Sequence, residues 1–241
     1  MTVAAAVATA TAPLPIPRCV EEMIDIAALS AYVPVTRRRL RAGQYLYRAG
    51  QRFNALYIVH AGFLRTSLCS DDGRQQVTGF PMRGELLGVE SIGSDRYSVD
   101  VVALDTCEVI ELPYPAIMTA CAAMNALQAL LTQALATELR RDHYWMLTLG
   151  TLGAEQRVAA FLLDLSRRHR ALGFCASHFL LRMSRVDIAS FLGLKHETVT
   201  RALSQLAARG IIAVERREIR IVCAEQLQGQ ADGPQTERRA A

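Results

Sequence analysis

Residues Leu192–Val214, LGLKHETVTRALSQLAARGIIAV, carry the pattern from which the rest of the chain can be read. From His196 to about Arg209 the spacing is helical. At about 100° per residue, Val199, Ala202, Leu203 and Leu206 share one face, while Glu197, Thr200, Arg201, Ser204 and Ala208 share the opposite one. Upstream, Ser184 can cap a helix over RVDIASFL, with Asp187 at the reciprocal position of a capping box. Val186, Ile188, Ala189 and Leu192 supply the side of that helix expected to turn inward. Gly193, between the two helices, permits the tight turn that joins them.

A solvated helix has no need of a carboxylate, a hydroxyl and a guanidinium in one narrow stripe, but a helix lying in a major groove does. Arginine presents a fork that matches guanine O6 and N7, glutamate accepts from cytosine N4, and a threonine methyl packs on thymine. The stripe is therefore read as base-contacting, with Glu197, Thr200 and Arg201 at its centre and His196 and Ser204 flanking them. The following GIIAVERREIRIV reads as a basic β-wing, whose Arg216, Arg217 and Arg220 would reach phosphates and so position the protein without specifying sequence. Ser184 and Lys195 are further phosphate candidates. Charge agrees with this placement. The 241 residues carry a formal net charge of only +4, yet residues 151–223 alone sum to +6, so the polyanion contact is expected toward the C-terminus.

Working toward the N-terminus, the pattern changes. Between about Val33 and Leu112, glycines at 43, 50, 62, 73, 84, 88 and 93 punctuate short apolar runs such as ALYIVHAGFLRTSL and YSVDVVALDTCEVIELP, as in an antiparallel roll. After Pro115 the turn signals stop, and Leu127, Leu131, Leu135, Leu139, Met146 and Leu149 form one stripe of a single long helix that ends at Gly150. Such a stripe can bury itself against the roll and then against its twin in a second subunit. Asp142 falls within the stripe, where it either sets the register at the seam or is rotated to solvent.

The opening MTVAAAVATATAPLPIPR lacks a basic region ahead of its apolar residues and reads as a mobile tail, and the uncharged stretch Leu112–Thr137 is too weakly apolar for a membrane span. A cytoplasmic protein is expected. The six cysteines, at 19, 69, 107, 121, 175 and 223, are scattered, as core or surface thiols usually are; Cys107 and Cys121 are kept as candidate reactive thiols. No nucleophile elbow, P-loop or HExxH occurs, so no enzyme is expected. The expected organisation is an α+β chain: a flexible segment over 1–30, a β-roll over 31–114, a dimerisation helix over 115–150, a winged helix-turn-helix over 151–224 and a disordered tail over 225–241.

With GELLGVESIGS, AEQRVAAFLLDLSRRHRALGF and MSRVDIASFLGLKHETVTRALSQLAARG in view, the chain resembles the Crp/Fnr family of bacterial transcription regulators from about Pro34 to Val222. The resemblance implies a cupin-like antiparallel β-roll of the cyclic-nucleotide-binding type and a homodimer on a palindromic site in double-stranded DNA. For activators it also implies contact with RNA polymerase, here from the exposed loop Ser70–Gln76 or not at all if that loop is a plain hairpin turn. In Fnr-type recognition helices, Glu, two residues, Ser, Arg reads a TTGAT half-site; here Glu197, Thr200 and Arg201 stand in those places, which implies a TTGAT-N4-ATCAA-like operator. In the roll, Gly84, Glu85, Leu86 and Ser98 match cyclic-nucleotide ligands of the family, but Tyr97 replaces the arginine that neutralises the phosphate, so cyclic AMP is not expected. Four cysteines for a 4Fe-4S cluster cannot be assembled, since Cys19 stands alone in the N-terminal segment. Haem stays open, with His60, His143, His169 or His178 as nominal axial ligands. The resulting expectation is a FixK-like regulator with no bound cofactor of these kinds and no metal. The alternatives are a regulator that senses haem, nitric oxide, redox state or a small molecule through the roll, and a small-molecule or redox protein that does not act on DNA.

Overall fold

The computed structural model describes residues 29–70 and 72–232. The expectations for the opening segment, for Cys19 and for residues 233–241 lie outside them. Eight strands form the roll: β1 (Thr36–Leu40), β2 (Tyr45–Tyr47), β3 (Ala55–Ala61), β4 (Leu64–Cys69), β5 (Gln75–Gly79), β6 (Leu86–Leu87), β7 (Asp100–Ala103) and β8 (Cys107–Pro113). They pair antiparallel in two four-stranded sheets, β1-β8-β3-β6 and β2-β7-β4-β5. GELLGVESIGS yields only the two residues of β6 and one 3-10 turn, Val89–Ser91.

The near-continuous apolar run of β3 follows from cover on both of its faces, since alternate side chains point to opposite sides. Tyr57 and Val59 face the roll interior with Cys107 and Val109 of β8, while Ile58 faces outward with Ile110 and Leu112. Aromatic rings fill the interior: Tyr97 stacks on Tyr47 at 3.8 Å, and Phe53 meets Tyr97 edge-on at 5.3 Å. Gly62, at φ 88°, lets β3 turn into β4 where a Cβ would stand 2.6 Å from the Thr106 carbonyl and 2.7 Å from Cys107 Sγ.

The single helix expected over 115–150 is two helices. α1 (Tyr114–Ala123), with Pro115 in its first turn, covers the outer face of β3 and β8. Met124 then leaves the helical region (φ −130°, ψ 94°), and α2 runs Asn125–Thr151. The break lets Ile117, Cys121 and Leu127 converge on one apolar cluster beneath the same protomer. Leu127, expected in a dimer stripe, is accordingly buried at home, and Leu131 packs half-buried beside it. Farther along α2, Leu135 and Leu149 are half-buried, Asp142 is exposed, and Leu139 and Met146 stand 57% and 69% exposed.

The C-terminal unit is built on α3 (Ala154–Ala171), which buries Val158, Phe161, Leu162 and Leu165. β9 (His178–Leu180), α4 (Arg185–Leu192), α5 (His196–Ala208), β10 (Ile212–Glu215) and β11 (Glu218–Ile221) follow. Residues 225–232, expected to be disordered, instead belong to α6 (Ala224–Asp232): Leu227 and Ala231, one turn apart, bury against the α3 core, and Arg167 Nη2 donates to Gln228 Oε1 at 2.7 Å. Val186 is also corrected. It is exposed, because α4 turns Ile188, Ala189, Phe191 and Leu192 inward, and Phe191 meets Trp145 of α2 at 4.7 Å and Phe80 of the roll at 5.4 Å. Among the described residues, no helix is long and apolar enough to cross a membrane.

Candidate nucleic-acid interface

Ser184 caps α4 as its position suggests. Its hydroxyl accepts from the Asp187 amide at 3.1 Å, and both its amide and its hydroxyl donate to Asp187 Oδ2, at 3.0 and 2.6 Å. This commits both of its donors and corrects its assignment as a phosphate ligand. Gly193 ends the helix in the left-handed region (φ 62°), and Arg157 of α3 donates to the Leu192 carbonyl at 3.0 Å, which ties the turn to the core.

α5 then presents its polar face. Val199, Ala202, Leu203 and Leu206 are buried, whereas His196, Glu197, Thr200, Arg201 and Ser204 are exposed. The Glu197 carboxylate lies 3.3 Å from His196 Nδ1, and Thr200 Oγ1 donates to the His196 carbonyl at 3.0 Å, which leaves its lone pairs free to accept. Arg201 has no side-chain partner among the described residues, so its fork is available to an external acceptor. No side chain caps α5, and exposed Lys195 stands beside its open amides, where a phosphate would be favoured.

The wing is the hairpin β10–β11, with Arg216 and Arg217 at its tip. Arg216 is, among the described residues, the only non-glycine with positive φ, 54°. Behind the tip stands a residue that sequence reasoning missed. Arg185, first in α4, donates from Nη2 to the Arg216 carbonyl at 3.4 Å, while its buried Nη1 finds no acceptor. Burial and neighbouring Arg217 hold this guanidinium below the usual arginine range. Three arginines thus meet at one corner with a donor unsatisfied, an arrangement suited to a phosphate. Only the capping box marked position 185 in the sequence, since a helix start beside the wing is brought about by the fold.

The roll holds this unit directly. Arg65 Nη1 lies 2.5 Å from Asp187 Oδ1, Ser190 Oγ accepts from the Val77 amide at 2.9 Å, and the Gln76 side chain donates to the Ser190 carbonyl. The second strand of the hairpin proposed for polymerase contact is therefore seated on α4. Burial pushes the Asp187 carboxyl up, but the hydrogen bonds from Ser184 and Arg65 outweigh it and leave it below the ordinary aspartate value. A carboxyl depressed in the folded state contributes stability that is complete above its unfolded pKa, about 4, and is lost as pH falls through the lower folded value. Thermal melts of Asp187→Asn should therefore show a shallower decline than wild type below about pH 4; an unchanged acid limb would contradict this link.

In the roll, Glu85, Leu86 and Ser98 line a cavity of about 510 Å³ shared with α2 residues Arg141 and Trp145. Gly84 turns at φ 83° just before them. An anion there would face Glu85, Glu90, Glu138 and Asp142, against an Arg141 already engaged by Glu85 and Asp164. Tyr97 is turned inward, its hydroxyl donating to the Ala55 carbonyl at 2.8 Å, and the Ser98 amide is held by Ser91 Oγ at 3.1 Å. The candidate thiols are corrected: Cys107 and Cys121 are buried, and desolvation raises both, Cys107 to about 11, with its thiol donating to the Phe63 carbonyl. His60, His143, His169 and His178 stand on β3, α2, α3 and β9, and no metal-binding group of three such side chains occurs among the described residues.

Residues 37–123 match the cyclic nucleotide-binding domain family and residues 156–229 the Crp-like helix-turn-helix domain family, the latter match reaching into α6. Over 219 residues the chain is 34% identical to the transcriptional activator protein Anr of Pseudomonas protegens, covering 90% of each protein. It is 37% identical over 186 residues to the transcriptional regulatory protein btr of Bordetella pertussis, covering 77% of each. Among solved structures, FixK2 from Bradyrhizobium japonicum aligns with a TM-score of 0.74 at 31% identity, covering 80% of this chain and 96% of that one.

Proposed function

Because the chain belongs to the Crp/Fnr family of DNA-binding transcription regulators, we propose that it acts as a homodimer on a TTGAT-N4-ATCAA-like palindrome. Leu135, Leu139, Met146 and Leu149 of α2 form the seam. Glu197, Thr200 and Arg201 read base edges, His196 and Ser204 flank them, and Lys195, Arg185, Arg216 and Arg217 hold phosphates. The observation that carries this reading is the exposed, unpartnered Arg201 on the same face as Glu197 and Thr200, on a helix whose opposite face is the core of its unit. Two-fold symmetry would set the two α5 helices about 34 Å apart, one duplex repeat. RNA polymerase is the further protein partner in this reading.

The roll favours regulation without a bound anionic nucleotide, because its carboxylates and the inward-turned Tyr97 offer a phosphate no charge partner. The volume of the cavity supports a second reading, a neutral or cationic small ligand beside Trp145. The DNA reading is tested by mobility shift. Arg217→Ala, which removes one phosphate contact from each half of the dimer, should weaken binding to every sequence alike and lower the slope of log affinity against log salt by about two. A loss confined to one base position would remove Arg217 from the phosphate set.

A further inference from the structure

Glu85 sits where three units meet. It belongs to the roll, Arg141 to α2, and Asp164 and Arg168 to α3 of the DNA-binding unit. Arg168 grips it with a fork, Nε to Oε1 and Nη2 to Oε2, both at 2.9 Å, and Nη2 also donates to the Phe80 carbonyl at 2.7 Å. Arg141 reaches Glu85 Oε1 at 3.3 Å and Asp164 Oδ2 at 2.9 Å, and Arg168 Nη1 lies 3.4 Å from the same Asp164 oxygen. The side chains of Arg168, Asp164, Arg141 and Glu85 are 3%, 6%, 9% and 12% exposed. Two cations and two carboxylates thus form a nearly buried, charge-balanced quartet at the edge of the cavity, with Glu138 of α2 near enough to act on Arg141. Trp145, Phe80, Phe161 and Phe191 pack around the same joint.

An apolar joint alone lets helices slide, because dispersion and burial have little direction. A guanidinium fork on a carboxylate fixes an angle, and when buried it cannot exchange its partner for water. We propose that Glu85, Arg141, Asp164 and Arg168 are positioning residues for operator recognition. They lock the DNA-binding unit to α2 in the arrangement that spaces the two recognition helices on DNA, and this lock does the work that a bound ligand would otherwise do. A residue that family resemblance would offer to a ligand is instead occupied by the protein itself. The inference rests on the reading of the chain as a dimer on a palindrome.

The test compares full-length protein on three duplexes: the two half-sites with a four-base-pair spacer, the same with a six-base-pair spacer, and a scrambled sequence. Wild type should prefer the shorter spacer by about tenfold or more. Glu85→Gln should remain a dimer in sedimentation and keep its penalty for a single base change in a half-site, while its spacing preference falls to roughly twofold. A folded Glu85→Gln dimer with the wild-type spacing preference would overturn the lock. A wild type that cannot tell the palindrome from scrambled DNA would overturn the operator reading instead. Should Glu85→Gln not fold, Arg168→Lys, which keeps the charge and loses the fork, is read by the same criteria. A measurement on wild type stands apart from both variants: emission from Trp145, the only tryptophan, should not move when the palindrome is added, whereas a shift comparable to that of unfolding sinks the proposal.

Discussion

Arg201→Ala should weaken binding to the TTGAT-N4-ATCAA duplex by on the order of 1–3 kcal/mol per half-site, about five- to 150-fold, and should erase discrimination at one base pair. The size follows from geometry. Arg201 has no side-chain partner among the described residues, so truncation breaks no side-chain hydrogen bond or ion pair within the protein and would remove the bidentate base contact proposed for the complex. Glu197 is different, because its carboxylate lies beside His196, and part of any loss there would come from repulsion of DNA rather than from readout. The measurement is competition among duplexes with each half-site base changed in turn. If Arg201→Ala loses affinity equally on all of them, the arginine touches phosphate and the base-reading assignment falls.

Asp164→Ala should lower folding stability by about 3–5 kcal/mol, a fall in Tm of roughly 10 °C for a chain of this size. Its carboxylate is 6% exposed and is shared by Arg141 and Arg168, so removing it leaves two buried guanidiniums with Glu85 as their one directly bonded carboxylate. The cost is that of an uncompensated buried cation rather than of a lost contact. Asp72→Ala is the control. Asp72 pairs with Arg74 at 2.7 Å in the β4–β5 turn, but both side chains are exposed, and a solvated pair of that kind contributes little. Differential scanning calorimetry of the two variants decides it: equal small shifts would mean that the quartet is solvated in solution.

The recognition helix was legible because its information is local. Glu197, Thr200 and Arg201 lie within one and a half turns, and the alternation of buried and exposed positions that orients them follows from helix geometry alone. The glycine turn at 193 and the Ser184 cap are equally local, and they stand where the spacing puts them. By contrast, the inward side of α4 was misjudged at Val186, because helical periodicity gives a stripe but not the identity of the neighbour it meets. Here that neighbour is the roll and α2, through Phe80 and Trp145. The break at Met124 and the helix α6 escaped for a similar reason. Neither has a strong breaker or a strong apolar period, and each exists because a cluster elsewhere draws in Leu127 or Leu227.

Sequence alone therefore determined the two kinds of unit, their order and the exposed polar face of α5, since each rests on residues a few positions apart whose spacing is set by backbone geometry. Only the tertiary structure decided what Glu85, Arg185 and Tyr97 do. The partners of Glu85 lie 56 and 83 residues away in the chain. Whether a carboxylate meets a ligand, water or two buried arginines depends on distances that no local pattern encodes.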